Sequence, residues 1–149
     1  MASDPEPRPT AGLRRFWRRL QGPWRVAVAE DSMWPAIEPG DWLLVDPTVG
    51  RWPRRGSVIV FREPGSELIA IKRVAARPGD TIQDLPVTDP STGEQVQVTI
   101  RLPPDEAWLL GDADARSIDS RRYGPVSLDR LIGRAWFRYA PIRRFGRLR

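Results

Sequence analysis

The stretch SVIVFREPGSELIAIKRVA (residues 57–75) decides the fold class of this chain. It contains two runs rich in Val, Ile and other apolar residues, separated by Pro64 and Gly65. Short runs of β-branched and aromatic residues that are interrupted by Pro and Gly are typical of strands. We therefore predict strands at 57–62 and 67–75.

The same pattern continues on both sides of this stretch. It predicts further strands near 24–29, 42–46, 95–102, 106–110 and 132–139. In VTDPSTGEQVQVTI (87–100), turn residues precede an alternation at Val96, Val98 and Ile100, which predicts a hairpin. With 149 residues the chain suits one domain, and 16 Pro and 12 Gly favour many turns and short elements. The sequence thus predicts a mainly β fold with short helices.

The N-terminal part of the chain differs from this pattern. Residues 1–12 are polar and rich in Pro, which predicts a disordered arm. A short basic amphipathic helix is predicted next, because apolar residues recur at helical spacing among arginines. The apolar residues of this helix are Leu13, Phe16, Trp17 and Leu20. We assign 1–22 to the arm and helix, 23–141 to the domain and 142–149 to a basic C-terminal tail.

The predicted helix has two interpretations. It can lie on an anionic membrane surface, or it can cover the core of its own domain. Its apolar stripe is far shorter than the roughly 20 residues that a membrane span requires, so no transmembrane helix is predicted. No cleavable signal is predicted either. A cytoplasmic and a peripheral membrane location both fit.

The absence of Cys and His limits the chemistry available to the chain. It excludes disulfides, thiolate nucleophiles, His-containing zinc sites and Ser-His pairs, and we expect no cofactor and no metal. Of 24 basic residues, all except Lys72 are Arg. Because a guanidinium stays charged in proteins whereas an amine can lose its proton, Lys72 is the candidate base.

Ser32 is the candidate nucleophile. It lies in EDSMWP (30–35), just after a predicted strand, where backbone amides can be exposed. A serine hydroxyl needs an adjacent base, and a tetrahedral intermediate needs hydrogen-bond donors for its oxyanion. Taken alone, Ser32 is also explained as the N-cap of a helix.

The environment of Lys72 is left open by the strand pattern. Alternation places its side chain on the same face as Ala70 and Val74. If that face is buried, desolvation lowers the pKa of the amine, by up to about 3–5 units, and a neutral general base becomes available near pH 7. Since Ile69 and Ile71 lie on the opposite face, Lys72 can instead extend to water from an edge strand.

Three boxes, taken in order, resemble the signal peptidase I family of serine peptidases. They are Ser-Met-x-Pro at 32–35, Lys-Arg-Val with Pro-Gly-Asp at 72–80, and GDADARSIDSRRYGPV at 111–126. The third box has the family's residues at Gly111, Asp112, Ser117, Asp119, Ser120 and Arg121. Three boxes in order are a more specific match than any one of them.

This resemblance implies a β-rich fold and a set of roles. Ser32 would be the acylated nucleophile, and its own backbone N–H would donate to the oxyanion. Lys72 would be the general base and would later activate the deacylating water. Ser117 would hydrogen-bond the Lys72 amine, and Asp119 with Arg121 would form a structural ion pair. Gly111 and Asp112 would support the same loop.

The resemblance also implies a partner, a precursor polypeptide bound in an extended conformation in a strand-lined groove. Glu30 stands where many relatives carry a hydroxyl residue as a second oxyanion donor, and Ala113 replaces a usual Asn. The extra domain of some bacterial relatives is reduced here to 83–104. Small relatives without an anchor include the maturation peptidase of nickel-type superoxide dismutase. Signal-peptide-like processing and cytosolic precursor maturation therefore both fit.

Two alternative functions compete with this interpretation. The net charge of +5 and the arginines in 14–25 and 138–149 suit a non-enzymatic β-barrel that binds nucleic acid. That function leaves Ser32, Lys72 and Ser117 unexplained, so no nucleic-acid partner is expected. A repressor-type self-cleaving peptidase also uses a Ser-Lys dyad, but the chain has no N-terminal helix-turn-helix pattern.

Overall fold

Strands make up most of the regular structure of the protein. The computed structural model describes residues 24–88 and 91–149, so the predicted arm and helix within 1–22 lie outside the described residues. The strands are β1 (Trp24–Ala27), β2 (Trp42–Asp46), β3 (Val58–Arg62), β4 (Ile69–Ala76), β5 (Thr81–Thr88), β6 (Gln95–Arg101), β7 (Glu106–Leu110), β8 (Val126–Ser127), β9 (Leu131–Ala140) and β10 (Gly146–Arg147). One α-helical turn, α1 (Ser120–Tyr123), and short 3₁₀ turns complete the described elements. The prediction of a mainly β fold with short helices is confirmed.

The strands form one large antiparallel sheet and one separate hairpin. The order in the large sheet is β1-β2-β9-β3-β4-β7-β8, with β10 paired to β9. The strand β9, although late in the sequence, lies between β2 and β3 and pairs with both. The hairpin β5-β6 pairs Val87 with Val96 and Ile82 with Ile100, which confirms the hairpin predicted for 87–100.

All seven predicted strands overlap observed ones, whereas three observed strands were not predicted. The start of β5 escaped prediction because Gln83, Asp84 and Pro86 interrupt its apolar pattern. The strands β8 and β10 have two residues each, too few to show any alternation. These short strands are defined by their partners in the sheet.

Apolar side chains cover both faces of β3. Val58 and Val60 belong to one buried cluster with side chains of β2 and the Ser32 loop, while Ile59 and Phe61 belong to a second cluster with side chains of β4 and β7. A strand that is covered on both faces needs a continuous apolar run, as in VIVF of β3. The sheet is thereby held rigid where β3 pairs with β4.

The C-terminal segment 142–149, predicted as a basic tail, packs against the domain. Its strand β10 pairs with β9, and Leu148 packs against the first apolar cluster. Arg144 and Arg138 lie 3.3 and 3.0 Å from the buried carboxylate of Asp41. Part of the C-terminal positive charge is thus used in internal ion pairs.

Candidate active site

Ser32 lies in a turn between β1 and β2. The chain leaves β1 at Ala27, and hydrogen bonds between Val28 and the 40–41 segment fix the base of the loop. The apolar side chains of Met33 and Ile37 are fully buried, and the Ile37 N–H donates to the Met33 carbonyl. Because these side chains anchor the turn in the core, Ser32 has a defined position.

Lys72 lies in the interior of the sheet. Its strand β4 is flanked by β3 and, from Arg73 onward, by β7. The side chain of Lys72 is only 3% exposed, and Val74 and Ala76 of the same strand are also buried. Of the two environments that the alternation allowed, the structure has the buried one.

The two candidate catalytic groups are in direct contact. Lys72 Nζ lies 2.7 Å from Ser32 Oγ, and both residues are buried. Burial lowers the pKa of Lys72, although the carboxylates of Asp119, Glu30 and Glu63 act in the opposite direction. A neutral amine at this distance can accept the proton of the serine hydroxyl.

Gly111 brings the third box against the Ser32 loop. A Cβ atom at position 111 would lie 2.0 Å from Ser117 Oγ and 2.6 Å from the Ser32 carbonyl oxygen, so only glycine fits. The Gly111 N–H donates to Asp119 Oδ2 at 2.9 Å, and the Ala113 N–H donates to the Ser32 carbonyl at 3.1 Å. The loop that carries Ser117 therefore lies directly beside the Ser32 turn.

Ser117 has a buried hydroxyl beside this contact. Its Oγ interacts with the Asp119 carboxylate, whose pKa it helps to lower, and no hydrogen bond joins it to Lys72 in this structure. The predicted contact between Ser117 and the amine is thus not made in this conformation. Because a serine hydroxyl that donates one hydrogen bond can still accept others, Ser117 Oγ remains able to accept one from the amine.

Asp119 is held by the side chain of Arg121 in a two-point contact. Arg121 Nε and Nη2 donate to the two Asp119 oxygens at 2.9 and 2.7 Å. Burial alone would raise the pKa of Asp119, but hydrogen bonds from Arg121, Gly111 and Ser117 hold it below its usual value. Asp119 also accepts from the backbone N–H of Arg121 and so caps α1.

A second two-point ion pair links β4 to the same loop. Arg73 Nε and Nη2 donate to the Asp112 carboxylate at 2.8 and 2.6 Å. Arg73 follows Lys72 directly, so this pair fixes the middle of β4, which carries the amine. Such paired charge-assisted hydrogen bonds are geometrically specific.

Sequence reasoning missed one cluster of residues beside Ser32. The side chain of Arg116 lies 3.0 Å from Asp31 and packs over the ring of Trp34, with 5.8 Å to the ring centroid. Asp31 and Arg116 are 85 positions apart, so no local spacing predicts the pair. The residues Trp34 and Ile118, on the two loops, are exposed apolar side chains.

The N-terminal half of β4 has one unpaired edge. The Leu68 carbonyl accepts from Glu63, and the Val74 N–H donates to Ser57, both on the β3 side. Antiparallel alternation therefore turns the backbone groups of Ile69 and Ile71 to the other side, where no described strand pairs with them. This free edge leads directly to Lys72.

The described residues contain no metal-binding cluster and no membrane-spanning helix. Within 24–88 and 91–149, no group of three or more acidic side chains is placed to hold a metal ion. The same residues include no helix with the length and apolarity needed to cross a bilayer.

Comparison with known proteins gives consistent matches. The profile of the family described as "Signal peptidase, peptidase S26" matches residues 20–89 and 84–140. A signal peptidase I of Leptolyngbya laminosa is 32% identical over 143 residues, covering 81% of this chain and 70% of that protein. Mitochondrial inner membrane protease subunit 1 of Schizosaccharomyces pombe is 36% identical over 114 residues, covering 70% and 68%. Mitochondrial ATP-independent inner membrane protease subunit 1b of Arabidopsis thaliana is 36% identical over 121 residues, covering 78% and 70%.

Proposed function

The chain belongs to the signal peptidase family, peptidase S26, and on this basis we propose that it is a serine endopeptidase that removes N-terminal segments from precursor proteins with a Ser32/Lys72 dyad. The observation that carries the proposal is the 2.7 Å contact between Lys72 Nζ and Ser32 Oγ. The buried position of Lys72 supports the role of base, because burial favours the neutral amine.

Acylation begins with proton transfer from Ser32 to the neutral amine of Lys72. As the proton leaves, Ser32 Oγ forms a bond to the carbonyl carbon of the scissile peptide, and negative charge develops on the carbonyl oxygen. The backbone N–H of Ser32 donates to no residue of the described ranges and is free to stabilise that oxygen. The Lys72 ammonium then gives its proton to the leaving nitrogen as the C–N bond breaks, which leaves an ester on Ser32.

Deacylation repeats the proton transfer with water. The neutral Lys72 amine takes a proton from a water molecule, whose oxygen forms a bond to the ester carbonyl carbon. The bond to Ser32 Oγ breaks, and the proton held by Lys72 returns to that oxygen. The enzyme is restored, and the new carboxyl end of the removed segment departs.

The third box positions these groups without entering the covalent steps. The hydroxyl of Ser117 makes no hydrogen bond to Lys72 in this structure, and it orients the Lys72 amine when Ser32 is bonded to substrate. The pairs of Asp119 with Arg121 and of Asp112 with Arg73 hold the loop and the middle of β4. Gly111 allows the loop to approach Ser32.

The substrate binds as an added strand along the free edge of β4. The outward backbone groups of Ile69 and Ile71 supply hydrogen bonds, as in other cases of strand addition. Leu68 and Ile69 are exposed apolar side chains at the start of this edge, and Ile118 is exposed beside Ser117. These features favour an extended peptide with apolar side chains near the cleaved bond.

Two classes of precursor fit this site, a signal-peptide-like extension and a cytosolic precursor. In either case, contact of the segment 13–20 with an anionic membrane is part of the proposal. The test is incubation of purified protein with precursors of each class, followed by N-terminal sequencing of the products. We expect one new N-terminus with the wild-type protein and none with Ser32→Ala.

The matched control is Ser127→Ala, whose hydroxyl bonds Asp129 away from this site. It should cleave at the wild-type rate, and circular dichroism should show the same fold in both variants. Cleavage of the same bond by Ser32→Ala would contradict the proposal.

A further inference from the structure

A cleft with a volume of about 360 Å³ lies apart from Ser32 and Lys72. Its walls are formed by Asp46, Arg54, Arg134, Trp136, Arg147 and Leu148. None of these residues belongs to the proposed catalytic set. The volume falls in the range of roughly 300–1,000 Å³ that is typical of small-molecule sites and exceeds the space of a single bound ion.

The charges in this cleft are not balanced. Three guanidinium groups face one carboxylate, and Asp46 already accepts hydrogen bonds from the backbone N–H and the hydroxyl of Thr48 at 2.8 and 2.6 Å. Within residues 24–88 and 91–149, no carboxylate forms an ion pair with Arg54, Arg134 or Arg147. The cleft therefore carries an excess of two positive charges.

Arg134 gives a second indication of a missing partner. Its Nε atom is buried and donates to no acceptor in the described part of the chain. A buried donor without a partner is destabilising. Arg144 also has such an Nε atom, but its other nitrogens pair with Glu38 and Asp41, whereas Arg134 has no carboxylate partner among the described residues. An anionic group in the cleft would supply the acceptor.

The positions of these side chains are fixed by the sheet. Arg134 lies on β9 opposite Asp46 of β2, and Arg147 of β10 lies opposite Phe137 of β9. Trp136, which is 37% exposed, forms the apolar side of the cleft together with Leu148. The cleft thus combines a cationic side with an apolar one.

We propose that this cleft binds the phosphate group of an organic phosphate ester. Guanidinium groups match phosphate oxygens in pairs, and a phosphate monoester carries about −1.5 to −2 charges at pH 7, close to the excess charge of the cleft. Trp136 and Leu148 contact the organic part of the ligand. The same phosphate monoester is offered by a soluble phosphate ester and by the headgroup of phosphatidic acid.

The experiment is calorimetric titration of the full chain with three probes. These are inorganic phosphate, glycerol 3-phosphate and monomeric dihexanoyl phosphatidic acid. We expect at least one organic probe to bind more tightly than inorganic phosphate, and Arg134→Gln and Arg147→Gln each to weaken binding about tenfold. Trp136→Ala should weaken the binding of the organic probes and leave the affinity for inorganic phosphate unchanged.

Arg143→Gln is the charge-matched control, because Arg143 is exposed and lies outside the cleft. It should change the affinities less than about twofold. Arg147 is exposed, so its variant tests the site even where Arg134→Gln disturbs the fold.

The probes also identify the source of the phosphate. Preference for glycerol 3-phosphate indicates a soluble ester, and preference for the lipid indicates a headgroup. The proposal is overturned where no probe binds at millimolar concentration, where inorganic phosphate alone binds, or where Arg143→Gln weakens binding as much as the cleft variants do.

Discussion

At the scale of single residues, the burial of Lys72 affects both the reactivity of its amine and the stability of the folded protein. A charged amine in the interior is unfavourable, so the fold lowers the pKa of Lys72 and makes the neutral form accessible. An arginine at this position would stay charged and could not act as a base. The residue that we propose as the base is therefore also one that destabilises the folded protein when it is protonated.

Replacing Lys72 by Met should reveal this destabilisation, because the difference in stability between the variant and the wild type should depend on pH. The pKa of Lys72 is lowered from 10.5 in the folded state, so between the two values the unfolded state binds more protons and wild-type stability rises with pH. The free energy of unfolding of Lys72→Met relative to wild type should thus be highest below the folded pKa and should decline as the pH approaches 10.5. Urea unfolding across this range measures the difference. A difference that does not change with pH would mean that Lys72 keeps an ordinary pKa.

Ser117 should affect the rate without affecting the fold. If its hydroxyl orients the Lys72 amine during the reaction, Ser117→Ala should lower kcat by roughly 10- to 1000-fold, less than the loss of Ser32 or Lys72. The Ser117 hydroxyl acts on Asp119 less strongly than the hydrogen bonds from Arg121 and Gly111, so stability should be nearly unchanged. Steady-state kinetics beside urea unfolding separate the two effects. An unchanged kcat would reduce Ser117 to a loop residue.

At the scale of elements, ion pairs connect the C-terminal segment to the loop before β2. Asp41 has a buried carboxylate, and it accepts from Arg138 and from the backbone of Glu38 at 3.0 Å each. Arg144 reaches both Asp41 and Glu38. These contacts hold the loop that carries Ser32 against β9 and the segment that follows it.

Asp41→Ala should therefore be strongly destabilising. Loss of one partner of a buried ion pair leaves the remaining charge without compensation, which typically costs about 3–5 kcal/mol. Asp114→Ala is the matched control, because its carboxylate is 85% exposed in its pair with Arg121, and it should cost under about 1 kcal/mol. Chemical unfolding of both variants gives the comparison. Equal losses of unfolding free energy in the two variants would mean that the buried ion pair contributes no more to stability than the surface ion pair.

How much could be predicted from sequence also depends on the element. The runs that became β2, β3 and β7 are apolar and bounded by turn residues, so local pattern was sufficient. The face of Lys72 was not decided locally, since Ile69 and Ile71 are as apolar as Ala70 and Val74. It was decided by the Ser32 turn, which lies 40 positions away in sequence and contacts Lys72 on that face. The pair of Arg73 with Asp112 was missed for the same reason.

At the scale of the whole molecule, the positive charge is distributed differently from what composition suggests. Arg138 and Arg144 are engaged with carboxylates, while Arg54, Arg134 and Arg147 are gathered around one cleft. The predicted basic helix in 13–20 lies outside the described residues. Contact of this helix with membranes therefore stays a prediction. Experiments can test it separately from ligand binding in the cleft.

Flotation with vesicles tests the predicted helix. If its apolar stripe inserts at an interface, the protein should float with anionic vesicles, and deletion of 1–22 or high salt should abolish flotation. The variant with both Phe16→Ala and Trp17→Ala keeps every charge and should also lose most binding. Equal recovery of the full and shortened chains in the soluble fraction would contradict membrane insertion of the helix.

The central claim, that Lys72 acts as a neutral base toward Ser32, is tested most directly by kcat/KM of Lys72→Arg measured across pH. Because arginine keeps the charge and cannot release a proton at working pH, Lys72→Arg should be as inactive as Lys72→Ala. The wild-type rate should rise with pH along a limb that reports the Lys72 amine, since the chain has no histidine to titrate there. A Lys72→Arg enzyme with more than about a tenth of wild-type kcat/KM, a loss under roughly 1.4 kcal/mol of transition-state stabilisation, would contradict the dyad mechanism.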